Sequence, residues 1–439
     1  MRFCTALINV LQYFKIAFSL YEFSTPLEIF RYARASYKTI KESLGNQNVP
    51  NNISEYWKTF TLPHMKSCHE LMQLLINSDK DIINVQELHE KFRSIIASSK
   101  LHDIYKNFYI ESFEIFTKAF NTKLIGNQKL YIPYNHSINK IIVAGIGYSG
   151  SSAVYDYLRE FKQVFLLDRE KPILENQSIG FLGLINKFEN GRLELEDIIR
   201  FYFINIICCT VIYDSSYYKQ IRFNLRDMRV TKNKSAYLEL LLSCSTILCN
   251  IAIELQCKKT SNTAILSLLK QLGNHIVDMS FVDLPESFTP ISRTLFHINN
   301  IKILNYIDNI TFIPVLRDPR SRFVAYINDK YNDVNTDKYI DESETSYQNY
   351  TSELKNISQN TSSNNIIHPV NFEDFVLYEK YRTDFLNTIG IKISQHANEG
   401  KFFIRDISLK NVYSFKDYKN QEDIQKIESR LSRYCYKFQ

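Results

Sequence analysis

The stretch Lys140–Leu158, KIIVAGIGYSGSSAVYDYL, decides the predicted fold of this chain. Its opening residues, IIVAG, form a short apolar and β-branched run that is typical of a central parallel strand. Three glycines follow at 145, 147 and 150, and SSAVYDYLREF then has the apolar spacing of a helix. A helix that starts directly after such a turn points its free N–H groups at an anion. Because QVFLLD adds a second strand, residues 140–168 predict a right-handed, parallel β-α-β unit.

The composition is that of a globular protein with a mild preference for anionic ligands. Of 439 residues, 45% are hydrophobic and 23% charged, and the net charge is +6. Because the Lys and Arg side chains form no compact cluster, nucleic-acid binding is not expected. The 8 cysteines are scattered without a C-x-x-C pair, which predicts neither a disulfide framework nor a metal site. A reducing, cytoplasmic location fits this pattern best.

The N-terminal stretch MRFCTALINVLQYFKIAFSLYEFSTP is apolar with a basic start, but it lacks the features of a signal peptide. Lys15 interrupts the apolar run, and no small-x-small cleavage site follows. Polar residues recur every three or four positions, which predicts a helix with one narrow polar stripe. Two interpretations stay open at this point: a core helix, or peripheral membrane contact through residues 1–24.

Hydrophobic periodicity divides the rest of the chain into helical and α/β parts. We predict a helical N-terminal region over 1–135 and an α/β domain over 138–439 with a helical insertion at about 172–295. TFIPVL reads as a strand in spite of Pro314, followed by a turn at RDPR and a helix. The polar residues 332–365 predict a loop or an exposed helical excursion. IIHPVNFEDFV adds a further strand and turn.

The glycine loop fits more than one phosphate-binding pattern. Gly145, Gly147 and Gly150 satisfy the G-x-G-x-x-G fingerprint of dinucleotide-binding folds, and Asp168 ends the second strand where a ribose-binding acid belongs. An NAD or FAD oxidoreductase is therefore one interpretation. The kinase-type P-loop is excluded, because no Lys follows Gly150 to neutralise nucleotide phosphates.

Four segments, in order, resemble the bacterial and Golgi-type sulfotransferase family: GIGYSGSSAVYDYLREF, FIPVLRDPRSRFVAYIND, HPVNFEDFVLYEK and DISLKNVYSFKDY. They look like its 5′-phosphosulfate loop, its R-[DEN]-P signature, its FEDL strand-turn and its Ser-x-Lys-Asn segment. They span most of residues 138–439 apart from the helical insertion. The resemblance implies a P-loop-type parallel sheet flanked by helices. It also implies sulfuryl transfer, without a metal, from 3′-phosphoadenosine 5′-phosphosulfate (PAPS) to a hydroxyl or amine, with a glycan acceptor as the family analogy.

The resemblance also implies residue roles. The backbone N–H groups and hydroxyls of the loop would bind the 5′-phosphate, and Arg317 would bind the 3′-phosphate. Lys410 and Asn411 would close over the nucleotide. The loop residues assigned in this way are Gly147, Ser149, Gly150, Ser151 and Ser152. From the residues alone, a capped strand-helix turn and an ion pair of Arg317 with Asp318 remain alternatives.

The catalytic base and the catalytic cation are the least defined positions. Glu170 holds the place of the family's base, ahead of His136 and His297, although a solvated charge run would look the same. Tyr148 stands where the family has Lys or Arg, and it can donate one hydrogen bond but carries no charge. Ala325 stands where the family has Ser, so Ser321 is the expected substitute. These departures leave open a slow enzyme, a different cation (Arg169 or Arg320), or a relative that only binds nucleotide.

Overall fold

The computed structural model describes most of the chain from residue 85 onward. The described ranges are 85–98, 103–121, 138–162, 164–168, 172–175, 177, 180–207, 233–257, 261–285, 287–293, 295–330, 335–359 and 364–438. The predicted N-terminal helix at residues 1–24 lies outside them, as do His136, Arg169 and Glu170.

Helices and strands alternate in the second half of the described chain, whereas helices dominate the first half. The α-helices are α1 Val85–Ser98, α2 Asp103–Thr117, α3 Ser151–Leu158, α4 Pro172–Glu175, α5 Phe181–Glu189, α6 Leu195–Tyr202, α7 Lys234–Gln256, α8 Asn262–Asp278, α9 Pro319–Lys330, α10 Thr336–Gln359, α11 Phe372–Leu377, α12 Glu379–Thr388, α13 Arg405–Val412 and α14 Gln421–Leu431. The strands are β1 Lys140–Gly145, β2 Val164–Asp168, β3 Thr289–Arg293, β4 Ile310–Leu316, β5 Ile366–Ile367 and β6 Val370–Asn371.

Contacts divide the chain into two compact units. One contains the described residues of Met1–Tyr134 and Pro172–Asp283, and the other those of Asn135–Lys171 and Leu284–Gln439. The described helices before residue 134 therefore cluster with those of the predicted insertion, and we refer to the two units as the helical unit and the α/β unit.

The helical unit is built around α7, which packs against α2, α6 and α8. Phe116 of α2 stacks on Tyr202 of α6 with ring centroids 3.8 Å apart, and both rings are fully buried. Ser112 joins this layer by hydrogen bonds to Tyr202 and to Ser245 of α7. Among the described helices, the part of α7 at Ser235–Gln256 is long and apolar enough to cross a membrane. However, 67% of its most apolar stretch is buried within the protein, as in a core helix.

A parallel sheet of six strands forms the centre of the α/β unit, in the order β2-β3-β1-β4-β5 with β6 also paired to β4. The chain is thus an α/β protein, as predicted. β1 pairs along its whole length with β4, and Pro314 lies opposite Ala144 within that ladder. β1 and β2 are parallel but not neighbours, because β3 lies between them. The strand, helix and strand of the predicted β-α-β unit are present, and its two strands are parallel with one strand between them.

The sequence prediction missed one strand of this unit and left one helix as an alternative to a loop. β3 falls in the segment to which we assigned helices as far as about 295, since Pro290, Ser292 and Arg293 break up any apolar run there. Residues 336–359 of the polar segment are one long helix, α10. Its buried face is aromatic, with Tyr339, Tyr347 and Tyr350 spaced for one side of a helix.

The buried residues of the α/β unit form separate clusters, one of which contains residues of the sheet. One cluster joins Ile141 and Val143 of β1 to the inner faces of α3, α11 and α12. Another joins Phe323 and Ile327 of α9 to α10 and α14. Consecutive residues 141–144 of β1 are fully buried, so both faces of the strand are covered where it leads into the glycine loop.

Candidate functional site

The glycine loop connects the carboxyl end of β1 to the first turn of α3. Its tight turn is closed by a hydrogen bond from the Ser149 N–H to the Ile146 carbonyl at 2.9 Å. Tyr148 (φ 66°) and Gly150 (φ 84°) both adopt the left-handed conformation, and Gly150 is the N-cap of α3. The first N–H groups of a helix have no acceptor within it, so the loop ends in backbone donors at the edge of the sheet.

Two of the three loop glycines are required by the fold. A Cβ at Gly145 would lie 1.9 Å from Ser149 Oγ and 3.0 Å from the Val315 carbonyl. A Cβ at Gly150 would lie 2.3 Å from the ring of Phe372, in a conformation that already disfavours any other residue.

Gly147 differs from both of these glycines. It is exposed, its φ lies outside the left-handed range, and a Cβ built on it would meet nothing within 4 Å. The fold of the described residues therefore gives no reason for a glycine there. Close approach of a ligand to the backbone is the other physical reason for a glycine.

Ser149 carries a buried hydroxyl that the protein does not satisfy. The residue is 2% exposed, and its Oγ has no hydrogen-bond partner among the described residues. A buried hydroxyl without a partner is costly and is usually explained by function or by a bound species. Its position beside the loop backbone fits a site that is completed by a ligand oxygen.

Arg322 and Arg317 bind successive carbonyl groups of the loop. Arg322 Nε donates to the Gly147 carbonyl at 2.8 Å, and its Nη1 donates to Ser343 Oγ of α10 at 3.1 Å. Arg317 Nη1 donates to the Tyr148 carbonyl at 3.2 Å, and its Nη2 to the Asn411 carbonyl at 2.5 Å. Both arginines are more than nine-tenths buried. Because the peptide is trans and planar, pulling the Gly147 carbonyl to one side turns the Tyr148 N–H to the other.

Arg317 is thus a buried residue that holds the loop, with both terminal nitrogens on backbone carbonyls. The Arg317 guanidinium lies 5.0 Å from the centre of the Phe372 ring. The backbone carbonyl of Arg317 accepts a hydrogen bond from the Tyr347 hydroxyl at 2.8 Å. Burial lowers the pKa of Arg317, and the nearby Glu373 carboxyl counteracts that effect. Its Nε has no partner among the described residues and is the one nitrogen left for a ligand. Binding of a 3′-phosphate by Arg317 stays a prediction.

Asp318 pairs with Arg320 rather than with Arg317. Arg320 donates to the Asp318 carboxylate from its backbone, at 2.8 Å, and from Nη2, at 2.6 Å. The backbone N–H of Tyr436 donates to the same carboxylate at 2.9 Å, and Glu373 Oε1 accepts from the Asp318 N–H. The RDP turn is thereby fixed to the C-terminal residues. Arg320 is therefore already paired within the protein, which makes it a poor candidate for the alternative cation that the sequence analysis named.

Several other predicted residues lie near these arginines. Ser321 is fully buried and donates to the Val412 carbonyl at 2.7 Å. Lys410 and Asn411 are exposed at the end of α13, where the Asn411 carbonyl accepts from Arg317. Ala325 is half-buried in α9. The structure therefore brings Asn411 to the loop through its backbone and gives Ser321 a partner within the protein.

The sequence prediction missed two arginines at the loop, Arg322 and Arg293. Arg293 lies in the sheet. It ends β3, beside Val143 of β1, and its Nη1 donates to Ser152 Oγ at 3.0 Å. Its guanidinium also lies 5.6 Å from the centre of the Tyr155 ring. A cation at the end of a strand was the available signal, but β3 was not recognised as a strand. Arg293 places a half-buried positive charge beside the first turn of α3.

The remaining candidates divide between the loop and the strand ends. Tyr148 is half-buried, and its ring meets Tyr326 of α9 edge to face at 5.4 Å. Ser151 is half-buried in the first turn of α3. Asp168 ends β2, two strands away from β1. His297 is half-buried just before a short 3₁₀ helix. The described part of the chain contains no group of three or more His, Cys, Asp or Glu residues placed to hold a metal ion.

Comparison with known proteins gives distant structural similarity alone. No family model and no curated protein matches the chain. The crystal structure of sulfotransferase STF9 from Mycobacterium avium aligns at 8% identity, covering 86% of this chain and 96% of that one, with a TM-score of 0.32. Sulfotransferase STF1 from Mycobacterium tuberculosis aligns at 11% identity, covering 84% and 98%, with a TM-score of 0.29. Scores at this level assign no function, so the site itself must support any proposal.

Proposed function

We propose that the chain is a sulfotransferase that moves a sulfuryl group from PAPS to a hydroxyl or amine acceptor. The observation that carries the proposal is Gly147, a loop glycine that the described fold does not need and that leaves the backbone open to a ligand. The unsatisfied Ser149 hydroxyl, which lies against Gly145, and the start of α3 supply further donors in the same loop. Together they fit the 5′-phosphosulfate end of the donor.

The proposed reaction is an in-line displacement. The acceptor oxygen or nitrogen forms a bond to sulfur, and the bond between sulfur and the bridging oxygen breaks. The electron pair stays on the departing 3′-phosphoadenosine 5′-phosphate (PAP), and the acceptor proton goes to a base. Catalysis of such a step rests on positioning and on stabilising the leaving phosphate. Ser151 and Ser152 would add hydroxyl donors at the helix start, and Glu170 remains the proposed base.

The strand order argues against a dinucleotide-binding oxidoreductase. In that fold the strand that carries the ribose-binding acid is the direct neighbour of the strand before the glycine loop. Here β3 separates β1 from β2, so the backbone at Asp168 is two strand spacings, or about 10 Å, from β1. Arg293 of the intervening strand, not Asp168, adjoins the loop. A cation at this position suits a phosphate better than it suits a ribose diol.

A non-catalytic nucleotide-binding protein is the second candidate, and Tyr148 is the observation that favours it. An uncharged residue at that position leaves the loop without a cation of its own. The acceptor, for which a glycan is an analogy only, and the cytoplasmic or membrane-associated location are also proposals. None of them changes the prediction for the donor.

Calorimetric titration of the full chain with PAP tests the donor site, with NADH, NADPH and FAD as parallel ligands. We expect PAP alone to bind, and Gly147→Val to abolish that binding without lowering the melting temperature. Transfer of labelled sulfate from PAPS to a panel of sugars, phenols and amines then separates an enzyme from a binding protein. Binding of a nicotinamide or flavin cofactor in place of PAP would overturn the proposal.

A further inference from the structure

We propose that Arg293 is the catalytic cation of this site, taking the place of the positive charge that Tyr148 does not supply. The inference rests on the proposed function, because it assigns the residue that would stabilise the departing 5′-phosphate. It depends on where Arg293 lies and on what the neighbouring arginines are already bound to.

The sheet places Arg293 next to the end of β1, where the glycine loop begins. It is the last residue of β3, which is hydrogen-bonded on one side to β1 and on the other to β2. The carboxyl ends of parallel strands meet at one edge, so Arg293 leaves the sheet at the same edge as the glycine loop. Its Nη1 reaches Ser152 Oγ at 3.0 Å, in the first turn of α3, where the helix N-terminus attracts negative charge.

The other three arginines around the loop, Arg317, Arg320 and Arg322, bind groups of the protein itself. Arg317 and Arg322 are more than nine-tenths buried and donate to the carbonyls of Tyr148 and Gly147. Arg320 is paired with the buried Asp318 carboxylate. Arg293 differs in position, because it is half-buried at the end of β3 and its Nη1 reaches a hydroxyl of the helix start. Among the arginines described here, it is the one on the donor side of the loop.

The proposed sulfuryl transfer requires a cation beside the departing 5′-phosphate. As the bond between sulfur and the bridging oxygen breaks, its electron pair adds negative charge to the 5′-phosphate. A guanidinium within hydrogen-bonding distance stabilises that charge, and it can bind two phosphate oxygens at once. A preorganised donor of this kind typically contributes about 10²–10³-fold to kcat. Ser152 and the Tyr155 ring hold the guanidinium in place before the donor binds.

The test compares Arg293→Ala and Arg293→Lys with Arg159→Ala, a control at the exposed end of the same helix, where Arg159 lies over the Phe402 ring. We expect Arg293→Ala to weaken PAP binding about tenfold or more, the loss expected for a charge-assisted hydrogen bond, and to lower kcat for sulfate transfer by about 10²-fold. Arg293→Lys should recover part of both losses, and Arg159→Ala should change neither. The salt dependence of PAP binding should also become shallower in Arg293→Ala, which a purely structural role would not produce.

A charge-rescue variant makes the test decisive. Tyr148→Lys in the Arg293→Ala background should restore transfer at least tenfold, because it returns a cation to the loop. Wild-type-like PAP affinity and kcat in a folded Arg293→Ala variant would overturn the role of Arg293 and leave the proposed function intact. If the wild type fails to bind PAP, the proposed function fails instead. Titration with inorganic pyrophosphate then decides whether Arg293 holds an anion at all: equal binding by wild type and Arg293→Ala refutes it.

Discussion

Alanine at Gly150 is expected to destabilise the protein, whereas alanine at Gly147 is expected to leave its stability unchanged or slightly raised, although both glycines lie in one loop. At Gly150 the left-handed φ of 84° disfavours an alanine by about 1–2 kcal/mol. The new methyl group would also lie 2.3 Å from the Phe372 ring, which is 2% exposed and packed in the core. Shifting such a ring typically costs about 1–3 kcal/mol. Gly150→Ala should therefore lower the free energy of unfolding by about 2–5 kcal/mol.

Gly147→Ala should leave stability unchanged or raise it slightly. Its φ lies outside the left-handed range and its Cβ would meet no atom within 4 Å, so no strain is introduced. Alanine also reduces the conformational freedom of the unfolded chain, which stabilises the folded state by about 0.4–1 kcal/mol at compatible sites. The expected cost of Gly147→Ala appears only in PAP binding, because the methyl group occupies the approach to the loop backbone.

Urea and thermal unfolding followed by circular dichroism would measure both variants beside the wild type. For a unit of 150–250 residues, 1 kcal/mol corresponds to about 2–4 °C in melting temperature. A Gly150→Ala protein as stable as the wild type would refute the packing argument. Equal destabilisation by Gly147→Ala would show that the fold needs that glycine, and the argument for ligand approach would then fail.

Other predictions concern buried groups around the site and the core of the helical unit. Burial raises the pKa of Glu373 from 4.5 to about 7. The folded state therefore binds more protons than the unfolded state between these pH values, so stability falls by about 3 kcal/mol as pH rises through that window. Glu373→Gln should remove this dependence in unfolding curves measured from pH 4.5 to 8. Arg320→Ala leaves the buried Asp318 carboxylate without its guanidinium and should cost about 3–5 kcal/mol in urea unfolding. Arg430→Ala, which breaks an exposed ion pair, is the matched control and should cost less than about 1 kcal/mol. Phe116→Ala removes a fully buried ring and should cost about 3–5 kcal/mol, seen as a lower urea midpoint.

The strands and helices that the sequence predicted well share a strong local signal. β1 and β4 are apolar, β-branched runs, and the glycines after β1 mark the turn into α3. β3 lacks that signal, because Pro290, Ser292 and Arg293 make up most of it. Its pairing comes from strands on both sides of it, which no local pattern contains. The tyrosines of α10 have the spacing of one helical face. The polar residues between them made a loop an equally good interpretation of the sequence.

For the candidate site, the sequence indicated which residue types to expect but not which groups they would bind. The RDP motif identified Arg317 as a residue of the site, and the structure brings it to the loop. The sequence could not predict that its terminal nitrogens bind backbone carbonyls, because the direction of a carbonyl depends on loop conformation. Arg322 also donates to a loop carbonyl and lies in the same segment, but the sequence prediction did not include it.

The positions of the buried arginines support the proposal that a loop without its own cation binds an anion. Arg322 and Arg317 hold the carbonyls of Gly147 and Tyr148, and a hydrogen bond to a carbonyl polarises the peptide that carries it. The N–H on the opposite side of that peptide becomes a stronger donor. Backbone donors, the dipole of α3 and the charge of Arg293 then act on the same side of the loop. In such a loop Arg322 would set the direction of the Tyr148 N–H, and Arg293 would supply the charge of the proposed site. The Ser149 N–H, on the peptide held by Arg317, donates to the Ile146 carbonyl and closes the turn.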